Sequence, residues 1–476
     1  MQHSRVLAVD LDHTFVETDT LYEQIARLLL QRPLLVPRLI RAAAKGKASL
    51  KRFCAENVDL NIEGMISQEF RSYLEEEKQN GAYLVLSTAA HQQTARRVVD
   101  GLDLFDQIVA TTDDRNLKGK AKADELVRLF PQGFVYAGDH ASDLAVWERS
   151  SGIVLVNTSD AVGRRARALG KPIIAEFSAP KGRPNALHVW ARALRVHHWS
   201  KNVVMFIPLL LAHQWSNVSL LLQTCIGFIL LLMATSSTYL INDLADLDAD
   251  RAHATKRHRP LASGTLPILH ALMFAAVVLP VVLVAAWFLS FNFAAALAAY
   301  VVLTLGYSFG FKRVPLLDTF LIGVLFTVRL LMGATMIQTT LPVWLVTFSL
   351  FFFFSLATAK RHAEVIRART RGGASLESRG YEVDDWPLTL ILGVSTGIAS
   401  LVILVLYMVD EAFRVVGYTR PEFLWFVSVL VSIWVGRIWL LTHRGKMHDD
   451  PVTFALRDRS SQVIAFLAAV CFAIAL

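Results

Sequence analysis

Residues 242–264 read Asn-Asp-Leu-Ala-Asp-Leu-Asp-Ala-Asp-Arg-Ala-His-Ala-Thr-Lys-Arg-His-Arg-Pro-Leu-Ala-Ser-Gly and follow directly on a long apolar segment. If the preceding helix continues through this stretch, Asp243, Asp246 and Asp250 are three and four residues apart and share one face, while Asp248 points away. Carboxylates packed this closely repel one another, and they are best tolerated where a divalent cation bridges them to a phosphorylated ligand. The stretch therefore predicts a magnesium–diphosphate site at the mouth of an intramembrane cavity.

The apolar residues are concentrated in the C-terminal part of the chain. Of the 476 residues 54% are hydrophobic, yet residues 1 to about 190 have the composition of a soluble protein. Apolar runs near the length that spans a bilayer then recur to the C-terminus, so we expect an all-α membrane bundle of about nine transmembrane helices. The nine segments are 203–217, 220–241, 268–289, 293–310, 317–337, 341–359, 387–409, 422–441 and 462–476.

The loops between these segments alternate in charge. Loops near 213–219, 290–293 and 338–342 contain no Lys or Arg, whereas the loops on the other side are basic. By the positive-inside rule the basic loops face the cytoplasm, together with the N-terminal domain, in a multi-pass protein of a bacterial-type inner (plasma) membrane. The N-terminus has too short an apolar run for a secretory signal. The net charge of +8 follows from this topology and requires no nucleic-acid partner.

Polar side chains follow three short apolar runs of the N-terminal domain. Such positions matter because the carboxyl ends of the strands in an open α/β sheet form the ligand crevice. Lys122 lies between the second and third runs and opens a helical pattern. The first run, residues 6–9, is followed by Asp10, Asp12 and Thr14. The second, residues 83–86, is followed by Ser87 and Thr88. The third, residues 134–137, is followed by Gly138, Asp139 and Asp143.

These segments resemble the haloacid-dehalogenase-type phosphatases, whose signatures are Asp-x-Asp-x-Thr, a strand-end Ser or Thr, a Lys and Gly-Asp-x-x-x-Asp, in that order. The resemblance implies a Rossmann-like α/β fold in which Asp10 attacks phosphorus and Asp12 protonates the leaving oxygen and then activates water. Thr88 and Lys122 would hold the phosphoryl oxygens. Ser87 could take the place of Thr88, and Lys118 or Lys120 that of Lys122. The implied magnesium set is Asp10, Asp12, Asp139 and Asp143.

The resemblance has one departure and one alternative reading. His13 stands where the family usually has Gly, which alters a turn but removes no reacting group. An inactive, purely structural copy of the domain is the alternative. Because each charged catalytic position is filled, the sequence favours an active phosphatase or phosphotransferase.

About seventy residues, 19–81, separate the first two signatures and show helical periodicity without an obvious strand. They predict a helical cap over the crevice. Residues 25–44 mix leucines with arginines and could lie on an anionic membrane surface or pack on their own domain. We place the phosphatase-like domain at 1–180, a linker and interfacial segment at 181–202 and the membrane domain at 203–476.

The Asp-rich stretch also resembles a family. Asn-Asp-x-x-Asp-x-x-x-Asp after the second membrane segment is similar to the UbiA superfamily of intramembrane prenyltransferases. Trp199 to Asn202, Tyr307 with Lys312 and Asp318, and Lys360-Arg361-x-x-Glu364 look most like its branch that makes decaprenylphosphoryl-5-phosphoribose. Aromatic prenyltransferases of the superfamily carry a second Asp-rich motif where Lys360, Arg361 and Glu364 stand here.

The resemblance implies that Asn242, Asp243, Asp246 and Asp250 hold Mg²⁺ and a diphosphate leaving group. The implied substrate-binding residues are mostly basic, as a site for several phosphates requires. Some of these residues have a purely structural alternative. Asp318 could form a buried pair with Arg329, and Lys312 could be a topology marker. The segment 448–459 could be a solvated loop or could close the site. The implied substrate-binding residues are Lys201, Asn202, Lys256, Arg257, Arg259, Tyr307, Lys312, Asp318, Lys360, Arg361 and Glu364.

The implied reaction transfers 5-phosphoribosyl from phosphoribosyl diphosphate to a polyprenyl phosphate, after which the phosphatase-like domain removes the 5-phosphate of the lipid product. Tethering raises the effective concentration of the second site. The first alternative is an aromatic polyprenyltransferase with a phosphatase of separate substrate. The second is a polyprenyl-phosphate binding protein with an inactive soluble domain. The expected cofactor is Mg²⁺, the expected surroundings are membrane lipids, and a homo-oligomer is compatible with the sequence.

Overall fold

A computed structural model describes residues 5–60, 65–113, 115–177, 185–372, 375–376, 379–410, 418–447 and 450–476. Two compact units make up the chain. The first unit consists of Met1–Ala193 with Asp243–Phe274, and the second of Leu194–Asn242 with Ala275–Leu476. From Asp243 onward the Asp-rich stretch therefore belongs to the first unit. Residues 178–184, where the predicted linker begins, lie outside the described residues, as do His448 and Asp449.

A six-stranded parallel sheet forms the centre of the first unit, with the strand order β3-β2-β1-β4-β5-β6. Its strands are short and apolar, and side chains alternate between two buried faces: Leu7 and Val9 pack in one apolar cluster and Ala8 in the other. The predicted α/β fold is confirmed. The strands are β1 (Val6–Val9), β2 (Tyr83–His91), β3 (Gln107–Thr111), β4 (Val135–Gly138), β5 (Gly152–Val156) and β6 (Ile173–Phe177).

Helices cover the sheet and build the predicted cap. The cap helices α1–α3 have an apolar cluster of their own that includes Leu28, Leu39 and Cys54, whereas Phe70 and Leu74 of α4 pack against the sheet. The cap therefore ends with α3, earlier than residue 81, because the apolar face of α4 is buried by the strands. The helices of this unit are α1 (Thr20–Gln31), α2 (Val36–Ala44), α3 (Lys47–Asn57), α4 (Gln68–Gln79), α5 (Gln92–Val99), α6 (Lys120–Leu129), α7 (Leu144–Trp147), α8 (Asp160–Arg167) and α9 (Ala186–Ala193).

Long apolar helices dominate the rest of the chain. Among the described residues, seven helices (α11 and α13–α18) are long and apolar enough to cross a membrane, and the pair α19 and α20, bent by 86°, adds an eighth if it forms one span. The all-α membrane bundle is confirmed. The helices are α10 (Ile207–Leu211), α11 (Val218–Ala245), α12 (Leu247–Ala252), α13 (Ile268–Leu289), α14 (Phe291–Phe309), α15 (Leu317–Met336), α16 (Val343–Thr370), α17 (Trp386–Asp410), α18 (Leu424–His443), α19 (Pro451–Arg457) and α20 (Arg459–Ala475).

The helix count differs from the predicted nine at the first apolar segment, 203–217. Its residues form the end of a 3-10 helix, Val196–Phe206, and then the five-residue α10. Pro208 occupies the first turn of α10, and His213 has a φ of 56°, a left-handed conformation that does not continue a helix. Apolarity predicted a span here, but the backbone is too interrupted to make one.

Helix α15 is the most buried of the spanning helices. A close approach fixes its contact with the 3-10 helix: a Cβ added at Gly333 would lie 2.0 Å from the backbone oxygen of Met205. Since backbone cannot yield as a flexible side chain does, only glycine fits at this crossing.

We expect Gly333→Ala to destabilise the bundle, because the new methyl group must push two backbones apart. Overpacking of this kind costs about 1–3 kcal/mol, enough to lower the melting temperature by several degrees. Gly436→Ala in α18 is the matched control, since nothing lies within 4 Å of its added Cβ. Thermal unfolding of both variants in detergent, followed by circular dichroism, measures the difference. Equal melting temperatures would contradict the close approach.

Candidate functional sites

The first candidate site lies at the carboxyl ends of β1 and β4, which are neighbouring parallel strands. Val9 pairs with Ala137, and the Asp10 N–H donates to the Ala137 carbonyl at 3.0 Å. Asp10 and Asp139 each follow one of these strands, so the pairing brings them to the same edge of the sheet. One carboxylate oxygen of each, and one of Asp143, lie within 4.8 Å of one another.

Asp143 reaches this edge because the end of β4 carries no side chain. A Cβ added at Gly138 would stand 2.8 Å from Asp143 Oδ2. That oxygen instead accepts the N–H groups of Asp139 (3.2 Å) and His140 (3.0 Å). The Gly-Asp-x-x-x-Asp spacing thus folds a short turn back on itself and presents the second Asp to the first.

Lys122 of α6 is the lysine that reaches the carboxylates. Its Nζ lies 3.0 Å from Asp10 Oδ1 and donates to the hydroxyl of Tyr136 at 2.8 Å. That hydroxyl in turn donates to Asp143 Oδ1 at 3.2 Å. Sequence reasoning missed Tyr136, because within an apolar strand it reads as core. The only available signal was a phenol two residues before Gly138 in a strand that ends at a charged motif.

The carboxylates of this cluster are electrostatically strained. Burial, followed by repulsion from Asp143 and Asp10, raises the pKa of Asp139 to about 8. Burial and the charge of Asp10 also raise the pKa of Asp143, although Lys122 opposes them. Burial lowers the pKa of Lys122, but Asp10 and Asp143 outweigh it and the net shift is upward. A buried set of repelling oxygen ligands fits Mg²⁺, which neutralises such a set.

Asp12, which the sequence placed in the magnesium set, is not part of this group of three. Its Oδ1 accepts the N–H of Thr20, the first residue of α1, at 2.8 Å, which turns the carboxylate toward the cap. Burial, followed by repulsion from Asp19, raises the pKa of Asp12 to about 7. A carboxyl that keeps its proton near neutral pH suits a proton donor better than a metal ligand. The turn that follows Asp12 requires a left-handed backbone conformation. His13 adopts this conformation with a φ of 57°, where glycine would be unstrained.

Thr88 and Ser87 are both fully buried in β2. The Thr88 Oγ1 accepts the N–H of Ala90 at 2.9 Å. Ser87 Oγ has no hydrogen-bond partner among the described residues. The choice between the two hydroxyls as phosphoryl ligand stays a prediction.

The second candidate site is the Asp-rich stretch. Helix α11 ends at Ala245 and α12 begins at Leu247, so the helix does not continue through the stretch as the face-sharing argument assumed. Asp243 and Asp250 nevertheless converge, because Arg259 Nη1 donates to Asp243 Oδ1 (3.1 Å) and Asp250 Oδ2 (2.6 Å). Burial raises the pKa of Asp250, and Arg259 opposes that shift.

The other residues predicted for this site lie around the same turn. Asp246 is half-buried at the junction of α11 and α12, and Asn242 is half-buried in the last turn of α11. Lys256 is half-buried and Arg257 is exposed in the 3-10 turn Lys256–His258. Asp248 lies outside the cluster and pairs with Arg27 of the cap at 2.6 Å.

The third candidate site is a basic cavity of about 410 Å³ in the second unit. Lys201 and Lys360, distant in sequence, both line it and share one carboxylate: their Nζ atoms lie 3.1 Å and 3.9 Å from Asp450 Oδ2. Arg367 and Arg457 add two more cations. Asp450 came from the segment that sequence reasoning left undecided between solvated loop and site. In that segment Asp458 pairs with Arg437.

A buried ion pair stands beside this cavity. Arg361 contacts Asp318 Oδ2 through Nε (2.9 Å) and Nη2 (2.6 Å), and it also contacts Glu364, which lines the cavity. Tyr381 donates to the second Asp318 oxygen at 2.7 Å. Both partners of the pair are almost fully buried, so Asp318 and Arg361 form an ion pair with each other.

The suggested pair of Asp318 with Arg329 does not form, because eleven residues on one helix separate them by about 16 Å. Arg329 Nε instead donates to Asn202 Oδ1 at 2.7 Å, and its Nη2 donates to the Tyr300 hydroxyl at 2.7 Å. Asn202 is thus buried in the bundle. Tyr307 accepts a hydrogen bond from Arg379 at 2.6 Å. Lys312 is half-buried in the 3-10 turn Phe311–Arg313. Sequence patterns offer no signal for Arg379 or Tyr381, which come from a loop after α16.

Residues 203–472 match the family model described as the UbiA prenyltransferase family. The chain belongs to this family. As a UbiA-family protein with several apolar spans, it is a multi-pass membrane protein. In its first unit, the motifs that resemble those of haloacid-dehalogenase-type phosphatases lie on a six-stranded parallel sheet.

Two relatives match this UbiA-family protein over different shares of its length. Uncharacterized protein y4nM of Sinorhizobium fredii is 38% identical and matches 99% of this chain and 91% of its own length. Decaprenyl-phosphate phosphoribosyltransferase of Mycolicibacterium smegmatis is 28% identical over 62% of this chain and 95% of its own length. Among solved structures, a UbiA homolog from Archaeoglobus fulgidus bound to DMAPP and Mg²⁺ is 15% identical, with a TM-score of 0.47, and covers 60% of this chain and 98% of its own.

Asp139→Asn is expected to weaken Mg²⁺ binding to the first site by about tenfold or more, because it removes one of three converging carboxylates. The Mg²⁺-dependent rise in the melting temperature of the full-length protein measures the affinity. Asp124→Asn is the control, since Asp124 lies in an exposed pair with Arg149. Equal Mg²⁺ dependence of the two variants would show that the carboxylate cluster does not hold the ion.

Proposed function

We propose that this UbiA-family protein transfers 5-phosphoribosyl from phosphoribosyl diphosphate to a polyprenyl phosphate, and that its haloacid-dehalogenase-like region then removes the 5-phosphate of the lipid product. The observation that carries the proposal is the basic cavity around Lys201, Lys360 and Asp450. An uncharged aromatic acceptor does not need four cations, whereas a lipid phosphate and a sugar phosphate do. The 28% identity with a decaprenyl-phosphate phosphoribosyltransferase supports the same reaction.

In this proposal the Asp-rich stretch binds the diphosphate of the donor. Asp243 and Asp250 are buried carboxylates aimed at one point, which Arg259 occupies with its guanidinium. Hard oxygen ligands of this kind fit Mg²⁺, and Asn242 and Asp246 would complete the set. The ion would supply charge neutralisation for the leaving diphosphate. Arg259, Lys256 and Arg257 would add hydrogen bonds to its oxygens.

The basic cavity would receive the acceptor phosphate. Lys201 and Lys360 are held by one carboxylate, so an incoming phosphate dianion finds both cations already placed. Arg361 is committed to Asp318 and Glu364 and would therefore orient the wall of the cavity. The helix bundle around the cavity would support it through Tyr307, Lys312 and Asn202.

The bond changes are simple. An oxygen of the lipid phosphate attacks the anomeric carbon of the ribose, and the bond from that carbon to the diphosphate oxygen breaks. The positive charge that develops on the sugar is stabilised by the surrounding anionic groups, and the negative charge that develops on diphosphate by the cations of the Asp-rich stretch. The acceptor is already an anion at neutral pH, so no strong general base is required.

The 5-phosphate would then be removed in the first unit. Asp10 Oδ1 is oriented by the N–H of Leu11 (2.8 Å) and by Lys122, and it would attack phosphorus. Asp12 carries the proton for the departing ribose 5-oxygen. Water hydrolyses the aspartyl-phosphate and restores Asp10. Loss of the 5-phosphate makes the transfer irreversible. Both reactions would take place on the cytoplasmic side of the inner membrane, where the basic loops lie.

Asp243→Asn is expected to lower phosphoribosyl transfer about a hundredfold or more, because the diphosphate loses part of its charge neutralisation. Membranes containing the protein, given labelled phosphoribosyl diphosphate and decaprenyl phosphate, report transfer as lipid-linked label. Glu422→Gln, an exposed carboxylate of the bundle, should leave the rate unchanged. Transfer only from a prenyl diphosphate to a phenolic acid would overturn the proposal in favour of an aromatic prenyltransferase.

Asp10→Asn should uncouple the two halves. Transfer continues, but the phosphorylated lipid ribose accumulates, since removal of the nucleophile slows dephosphorylation about a thousandfold. Thin-layer chromatography of the lipid products with and without alkaline phosphatase distinguishes the two species. Asp100→Asn, an exposed carboxylate of the same unit, is the control. If the Asp10→Asn protein still yields the dephosphorylated lipid, the first unit acts on another substrate.

A further inference from the structure

A group of four charged side chains, three of them buried, joins the cap helix α1 to the Asp-rich stretch within the first unit. Glu23 of α1 has no exposed surface, and its Oε1 accepts hydrogen bonds from Arg27 (2.7 Å) and Arg251 (2.8 Å). Arg251 also reaches its second oxygen at 3.1 Å. Arg27 continues to Asp248 at 2.6 Å. Two carboxylates and two guanidinium groups thus form a chain of ion pairs, with Asp248 as its exposed end.

The cluster orients α12. This helix has only six residues, too few to be stable without tertiary contacts. Its side chains divide between two partners: Asp250 faces Arg259 and the diphosphate side, while Asp248 and Arg251 face the cap. Any rotation that broke the cap contacts would therefore displace Asp250.

A second contact holds the far end of the stretch. Gly264 has a φ of 68°, and a Cβ placed on it would lie 3.0 Å from the backbone oxygen of Glu17. Glu17 belongs to the loop between Asp12 and α1. The Asp-rich stretch thus has two contacts in this part of the unit: α12 meets helix α1, and Gly264 meets the loop that precedes α1.

Helix α1 also holds the proton donor of the phosphatase-like crevice. The N–H of Thr20 at its start binds Asp12, and Glu23 stands one turn further along. One helix therefore contacts Asp12 through the Thr20 N–H and Arg251 through the Glu23 carboxylate.

We propose that the Glu23–Arg27 face of α1 is a docking surface for α12 and that Glu23 is a positioning residue for the transfer reaction, although it lies in the phosphatase-like part of the chain. Docking fixes Asp250 against Arg259 and so preorganises the diphosphate-binding carboxylates. Replacing a buried ion pair by apolar side chains is often neutral for stability, so the proposed reason for these contacts is the geometry that they impose on α12. The transfer readout below rests on the proposed function, whereas the docking readout does not.

Glu23→Gln keeps the shape of the side chain but removes the Glu23 carboxylate from the buried guanidinium of Arg251 and leaves Arg27 with Asp248 alone. Hydrogen exchange of the full-length protein should rise about tenfold or more at the amides of residues 247–262. The turnover number for phosphoribosyl transfer, per folded protein, should fall about tenfold or more because Asp250 is displaced. The matched control is Glu75→Gln, since Glu75 forms an exposed pair with Arg71 at the same spacing on α4. It should change neither quantity.

Arg251→Gln tests the contact from the other side. The double variant should exchange no faster than Glu23→Gln alone, because Glu23→Gln already removes the interaction that Arg251→Gln removes. Unchanged exchange at residues 247–262 in Glu23→Gln would overturn the docking surface. Faster exchange with an unchanged turnover number would overturn the positioning role and leave a structural contact. Should the unmutated protein show no phosphoribosyl transfer, the proposed function fails, while the exchange comparison still decides the docking.

Discussion

Repulsion between buried carboxylates is the constraint on which the candidate sites of this protein depend. Each acidic group is taken out of water and then met by a cation: Lys122 beside Asp10, Arg259 between Asp243 and Asp250, and Arg361 against Asp318. Removing either partner of such a pair leaves an uncompensated buried charge, which costs about 3–5 kcal/mol. The side chains are consequently fixed before any ligand arrives, and preorganised charge is what phosphate chemistry requires.

The sequence predicted best where chemistry is local. Strand β1, the strand-end positions of Asp10 and Asp139, and Lys122 all follow from short motifs, because a parallel sheet brings strand ends together whatever the loops do. It predicted less well where backbone detail decides. The run 203–217 is apolar enough to span, but Pro208 and the left-handed His213 divide it. The break at Asp246 between α11 and α12 was likewise invisible to periodicity.

The sequence could not predict which residues far apart along the chain contact each other. Asp450 joins Lys201 to Lys360 although about 90 residues or more lie between any two of them. Charge counting could list these residues, but only packing of the helices shows which cation meets which carboxylate. Arg329 illustrates the limit. It is the intramembrane cation nearest in sequence to Asp318 and was therefore the expected partner. In the structure it instead donates a hydrogen bond to Asn202.

The contrast between the acidic and the basic sites argues for their chemistry. A second carboxylate-rich motif in the bundle would require further metal ions, each costly to desolvate, to hold a second anion. Fixed lysines and arginines bind a lipid phosphate without that requirement. Asp450 spaces Lys201 and Lys360 and cancels part of their mutual repulsion, so the cavity is prepared without being overcharged. In the proposed function the acidic site binds the leaving group through metal and the basic site binds the nucleophile directly, so the two anions are distinguished by the chemistry of their ligands.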